Sequence, residues 1–206
     1  QRMDPHRRRG LRGGAPRLTQ PERDPEIMTA LVRIAGLIDA LNERVGRTVS
    51  WLAILMVLVQ FVVVLQRYVF GIGSIWMQES IVYMHGVLFM LVAGYTLLHN
   101  AHVRVDVLYR TMSPRAKAWV DLLGTLLLLW PVCFLIFYVS FPYVEASWSV
   151  LEGSRETSGI QGVYLLKSVI LVFVVLLALQ GLSTLIHALR VLSGAEMPLE
   201  EASPLL

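Results

Sequence analysis

Residues 49–66 read VSWLAILMVLVQFVVVLQ, eighteen positions at which only one serine and two glutamines interrupt the apolar run and no charge appears. An α-helix of that length rises about 27 Å at about 1.5 Å per residue, close to the roughly 30 Å of hydrocarbon in a bilayer. The apolar residues run on without the alternation of a half-buried strand. Lipid offers nothing to bond an exposed backbone amide, so a helix with its hydrogen bonds internal is the form that suits this stretch. Three further runs of the same character occupy residues 80–98, 118–141 and 163–189. The expected fold is an all-α integral membrane protein with four transmembrane helices, the membrane domain covering residues 47–190.

Composition points the same way. Charged residues make up 16% of the chain, against roughly 25% in ordinary soluble domains. The net charge of +3 comes from arginines clustered beside the first span, where membrane topology accounts for them, so nucleic acid is not expected as a partner. Cys133 is the single cysteine; it lies inside the third run, has no intramolecular disulfide partner, and reads as a small packing residue.

Lys and Arg assign the sides of the membrane. Ten arginines, Arg2 to Arg47, precede the first span, and Arg104, Arg110, Arg115 and Lys117 fall between spans two and three. Both segments are expected in the cytoplasm. The other two loops are poor in positive charge, so they face outward, and an even number of spans returns the C-terminus inside. Trp51, Trp76, Trp119 and Trp148 lie near the expected span ends, where amphipathic rings collect; Trp130 falls in mid-span.

Residues 1–25, rich in Arg, Gly and Pro, read as a disordered basic tail, with Met28 expected as the physiological start. Over residues 26–46, Ile27, Leu31, Ile34, Leu37, Ile38, Leu41 and Val45 recur at helical spacing among Arg33, Asp39, Glu43 and Arg44. This is an amphipathic helix expected to lie on the cytoplasmic leaflet and lead into the first span; a clamp for a partner protein is the alternative. Residues 191–206 form a cytoplasmic tail.

Polar groups at membrane depth are few. Arg67 and Glu79 sit at the outer boundary of spans one and two, placed to pair across the loop between them. Gln60, His85 and Gln180 lie deeper and are expected to bond between helices. Gly86, Ala93 and Gly94, following Glu79 and Tyr83 at helical spacing, mark a face of span two that packs on protein. Pro131 predicts a bend within span three, and Pro142 a break at its outer end. The histidines provide no haem pair, because His85 lies about 20 Å from the level of His99, His102 and His187 at about 1.5 Å per residue. Those three lack an acidic or thiolate partner at metal-site spacing. No catalytic residue, cofactor or metal site is expected. The rival classes are a stand-alone small membrane carrier and a haem or metal membrane enzyme.

Three segments carry a specific resemblance: RYVFGIGSIWMQE at residues 67–79, GYTLLHNAHVRVDVLY at 94–109, and LEGSRETSGIQGVYLLK at 151–167. In order and spacing they resemble the small membrane subunit of tripartite ATP-independent periplasmic (TRAP) transporters, the DctQ-like family, over residues of about 45 to 190. The matching residues are Arg67 and Tyr68 closing span one, Trp76 and Glu79 opening span two, and His102, Arg104 and Asp106 in the cytoplasmic loop. The resemblance implies a non-enzymatic subunit in the bacterial inner membrane beside a larger elevator-type permease, which holds the substrate and sodium sites. A periplasmic binding protein then delivers the solute, typically an organic acid. Arg67, Tyr68, Trp76, Glu79, His102, Arg104 and Asp106 are expected at structural contacts with the permease or lipid. Glu145, Trp148, Glu152, Arg155 and Glu156 in the outer loop are expected to meet the binding protein.

Overall fold

Four long helical spans take up the four apolar runs in a computed structural model that describes residues 25–100, 109 and 111–194. Helix α1 is Pro25–Tyr68, α2 Ile75–Leu98, α3 Pro114–Gly124, α4 Trp130–Ser149 and α5 Val163–Leu192; the π-helical stretch Thr125–Leu129 joins α3 to α4 as one span. No strand occurs among the described residues. Residues 1–24 of the basic tail, His102, Arg104, Asp106 and residues 195–206 of the C-terminal tail lie outside them, while residues 191 and 192, read as tail, complete α5.

Local chemistry sets several of the boundaries. Ser74 turns its hydroxyl back to accept the Met77 amide and starts α2; Ser113 does the same for Ala116, with Pro114 in the first helical turn where its missing N–H costs nothing. The turn before α2 passes through Gly71 at φ 65°, a left-handed conformation that a Cβ would strain.

Helix α1 is continuous over 44 residues, about 66 Å at about 1.5 Å per residue, so residues 26–46 and the first span form one rod. Its inward face in the first half is Ala35, Ile38, Asn42 and Gly46, all buried, whereas Ile34, Leu37 and Leu41 are exposed. Apart from Ile38, the residues that meet protein are small or polar, and the larger aliphatic residues face away. That inversion suits a bilayer, where apolar surface gains little by leaving lipid and close backbone approach supplies the packing.

Helix α5 is the hub, in contact with every other helix and carrying most of the buried positions. At its far end Leu185 and Ala188 join Ala118 and Leu122 of α3 in a small apolar core. In its middle, Gly181 lies against the π-helical stretch: a Cβ there would stand 2.5 Å from Leu129 Cδ2 and 3.1 Å from the Trp130 indole nitrogen. The Trp130 amide reaches back five residues to the Thr125 carbonyl. This widened turn sits just before Pro131 and takes up the irregularity that a proline ring imposes on the preceding turn. The break expected at Pro142 does not occur, since α4 carries the proline in its interior and continues to Ser149.

Trp51, Trp76, Trp119 and Trp148 are all exposed. Trp51 and Trp76 stand near opposite ends of the α1–α2 hairpin, separated by about 26 Å along α1 at about 1.5 Å per residue, as a pair of interfacial belts requires.

Candidate functional site

At the end of the bundle where α1 begins, three helices are tied by two neighbouring sets of polar side chains. Asp39 Oδ1 accepts from Gln180 Nε2 at 2.9 Å and from Ser183 Oγ at 2.6 Å, while Oδ2 lies 3.3 Å from His187 Nε2. One turn along α1, the buried Asn42 donates its Nδ2 to Gln180 Oε1 at 2.8 Å. Glu43 reaches the third helix: its Oε2 is 2.6 Å from His99 Nε2 beyond the end of α2, and its Oε1 accepts from Arg47 Nε at 2.6 Å. Asp39 and Glu43 are four apart, so a single face of α1 holds α5 by one carboxylate and α2 by the other.

Glycines bring the backbones close enough for this. A Cβ on Gly94 would overlap the Asn42 carboxamide, and one on Gly46 would overlap the Tyr95 side chain at its root. His99 and His187 thus engage different carboxylates. Gln180 forms the interhelical bonds expected of it, while Gln60 and His85 are exposed on the outside of the bundle.

At the opposite end, the segment between α4 and α5 folds down onto the first turns of α2. Glu79 accepts from the Ser154 hydroxyl through one oxygen and from the Ile160 amide, at 2.6 Å, through the other. The Tyr83 hydroxyl donates to the Ile160 carbonyl at 3.4 Å, a long bond. Gly159 lies directly against Ser154 and Glu79, where no side chain fits. The expected pair with Arg67 is not formed; Arg67 is exposed, and the carboxylate of Glu79 is occupied by the loop. The face of α2 read as protein-packing is so: Glu79 and Tyr83 bind the loop, Gly86 faces Leu166 of α5, and Gly94 is buried.

Exchanging Glu79 for Gln leaves a single carbonyl oxygen for two donors. The Ile160 amide is expected to exchange its hydrogen about 10-fold faster in detergent, because it loses a charged acceptor. Unchanged protection measured by hydrogen–deuterium exchange would contradict this anchoring.

Of the residues expected to meet a binding protein, two are engaged internally. Glu152 pairs with Lys167 of α5 and accepts from Ser147, and Lys167 also sits 4.0 Å over the Tyr143 ring. The Trp148 indole donates to Ser168 at 2.8 Å and meets Tyr164 edge-on at 4.8 Å between ring centres. Glu145, Arg155 and Glu156 are exposed, as are Tyr68 and Trp76 at the turn between α1 and α2. The Lys167 ammonium, followed by the Ser147 hydroxyl, holds the Glu152 carboxyl below the usual carboxylate range. A carboxyl lowered in the folded state stabilises above its unfolded pKa and ceases to as pH falls through the lowered value. Trp148 fluorescence, with the other tryptophans changed to Phe, is therefore expected to be flat near neutrality and to shift only at acid pH, below the range in which an unpaired glutamate titrates. Glu152→Gln removes that acid transition.

The polar faces of α1 and α5 escaped the reading of the sequence as a site, although the signal was present. Asp39, Asn42, Glu43 and Gly46 fall on one face, and Gln180, Ser183 and His187 on another.

The model of the family described as tripartite ATP-independent periplasmic transporters, DctQ component, matches residues 56–191. Searches of curated proteins and of solved structures return no match. The family match covers well over half of a chain with four membrane-length helices, and the chain belongs to that family: a multi-pass membrane subunit of a transporter and not an enzyme.

Proposed function

We propose that the chain is the small permease subunit of a tripartite transporter in the bacterial inner membrane, with both termini in the cytoplasm. It enlarges and anchors the static scaffold against which a large, sodium-coupled permease moves an organic acid delivered by a periplasmic binding protein. The sodium sites belong to the large subunit, and this chain needs no cofactor of its own. The observation that carries the reading is how the bundle uses its buried polar groups. Asn42, Gln180 and Ser183, with the half-buried Asp39, are bound to neighbouring helices, as in a scaffold, rather than gathered around a path for a solute.

The arginines support this orientation. Arg33, Arg44 and Arg47 are exposed on the first half of α1, where anionic cytoplasmic lipid meets them. Leu37 and Leu41 on the same half contact that leaflet, which gives the amphipathic segment an interfacial role on its outward side alone. Arg104, with His102 and Asp106, belongs to the same cytoplasmic side and to contacts with permease or phospholipid. Across the membrane, Glu145, Arg155 and Glu156 are the exposed polar groups that a binding protein meets.

Affinity purification from native membranes in mild detergent, followed by mass spectrometry, is expected to recover one large multi-span permease in stoichiometric amount. A folded chain that purifies alone and supports solute flux in liposomes would replace this reading with that of an autonomous carrier.

A further inference from the structure

Most of the outward surface is of the kind that lipid covers. On α4, Phe134, Leu135 and Val139 are exposed, and the open groove between α4 and α5 is walled by apolar side chains such as Cys133, Phe137 and Val174. Tyr138 and Trp130 contribute a phenol and an indole to that side, each on a large apolar ring.

The α1–α2 hairpin differs. Gln60 is exposed on α1 and lies about 12 Å from the Tyr68 end; His85 is exposed on α2 about 15 Å from the Ile75 end, at about 1.5 Å per residue, so the two share one depth near mid-membrane. His85 belongs to the outward ridge Gln78, Val82, His85 and Phe89, where its ring stacks with Phe89 at 6.3 Å. Among the described residues neither Gln60 nor His85 has a hydrogen-bond partner. Both side chains are too short to carry their polar atoms to the headgroups, in contrast with Lys or Arg. Alkyl chains satisfy neither an amide nor an imidazole.

We propose that the α1–α2 hairpin, which exposes Gln60 and His85 at one depth, docks a transmembrane helix of the large permease, one that presents hydrogen-bonding groups at mid-membrane depth; this rests on the small-subunit reading above. A second copy of the chain is the weaker occupant. Gly86 and Gly94, the small residues of α2 that admit a close helix, are already used against Leu166 and Asn42.

The test places the photo-crosslinker p-benzoylphenylalanine at Gln60, His85 or Leu135 in cells that express the complete transporter. Adducts with the permease from positions 60 and 85, and lipid adducts alone from 135, are the expected result. A parallel double variant, Gln60→Leu with His85→Leu, is expected to keep the melting temperature of the isolated chain and to recover at least 10-fold less permease. Lipid-only adducts at 60 and 85, or adducts with a second copy, overturn the docking surface while wild-type recovery of the permease leaves the scaffold reading intact. A wild-type chain that recovers no permease overturns both.

Discussion

Gly46→Ala is expected to lower the melting temperature of the purified chain by about 5–10 °C, whereas Gly36→Ala, ten residues earlier on the same helix, leaves it unchanged or raises it slightly. Both exchanges replace glycine by the best helix former, a gain of up to about 1 kcal/mol where space allows. At Gly36 nothing stands within 4 Å of an added Cβ, so the gain is realised. At Gly46 the added carbon would stand 2.5 Å from Tyr95 Cβ, an atom tied directly to the α2 backbone. No rotation of the tyrosine side chain removes that overlap, so the helices must separate. Overpacking of this kind costs about 1–3 kcal/mol. Separation also pulls Glu43 from His99 and Asn42 from its seat against Gly94, so the effect belongs at the upper end. Tyr95→Ala, which keeps the Cβ, is expected not to rescue Gly46→Ala fully. At the neighbouring crossing, Asn42→Ala removes the colliding carboxamide and is expected to rescue much of Gly94→Ala. Equal melting temperatures for Gly46→Ala and Gly36→Ala, measured by scanning fluorimetry in one detergent, would show that α1 and α2 do not cross closely at this point.

Asp39→Ala is expected to destabilise the chain by about 2–3 kcal/mol, since a side chain that faces three partners disappears at once. Gln180 Nε2 and Ser183 Oγ lose their shared acceptor, and His187 loses its carboxylate. Ser183 is fully buried, so water does not readily replace what it loses; Asp39 itself is half-buried, which tempers the effect. Asp39→Asn retains one carbonyl oxygen for Gln180 and Ser183 and should cost less than half as much. The readout is the thermal midpoint, measured for both variants in one detergent. Matching midpoints for Asp39→Ala and Asp39→Asn would mean that the carboxylate does not hold α1 to α5.

The sequence by itself determined the class of the protein and its family. Four uninterrupted apolar runs have the length of the hydrocarbon layer, and lipid leaves helices as the form available to them. The motifs at residues 67–79, 94–109 and 151–167 carried the family, because they depend on local order and spacing rather than on packing. Tertiary structure decided which way each polar group turns. In a bilayer, apolar side chains lie on both the lipid-facing and the protein-facing sides of a helix, so periodicity does not mark the inner face as it does in water. The stripe Ala35, Ile38, Asn42 and Gly46 therefore became visible only when α1 was set against α5 and α2. The same holds for partners far apart in sequence. Asn42 and Gln180 are separated by 138 positions, and Glu79 meets Ile160 across 81 rather than its nearer neighbour Arg67. Each residue turns a helix by about 100°, so the rotation of every helix about its axis had to be settled before a carboxylate found its donors.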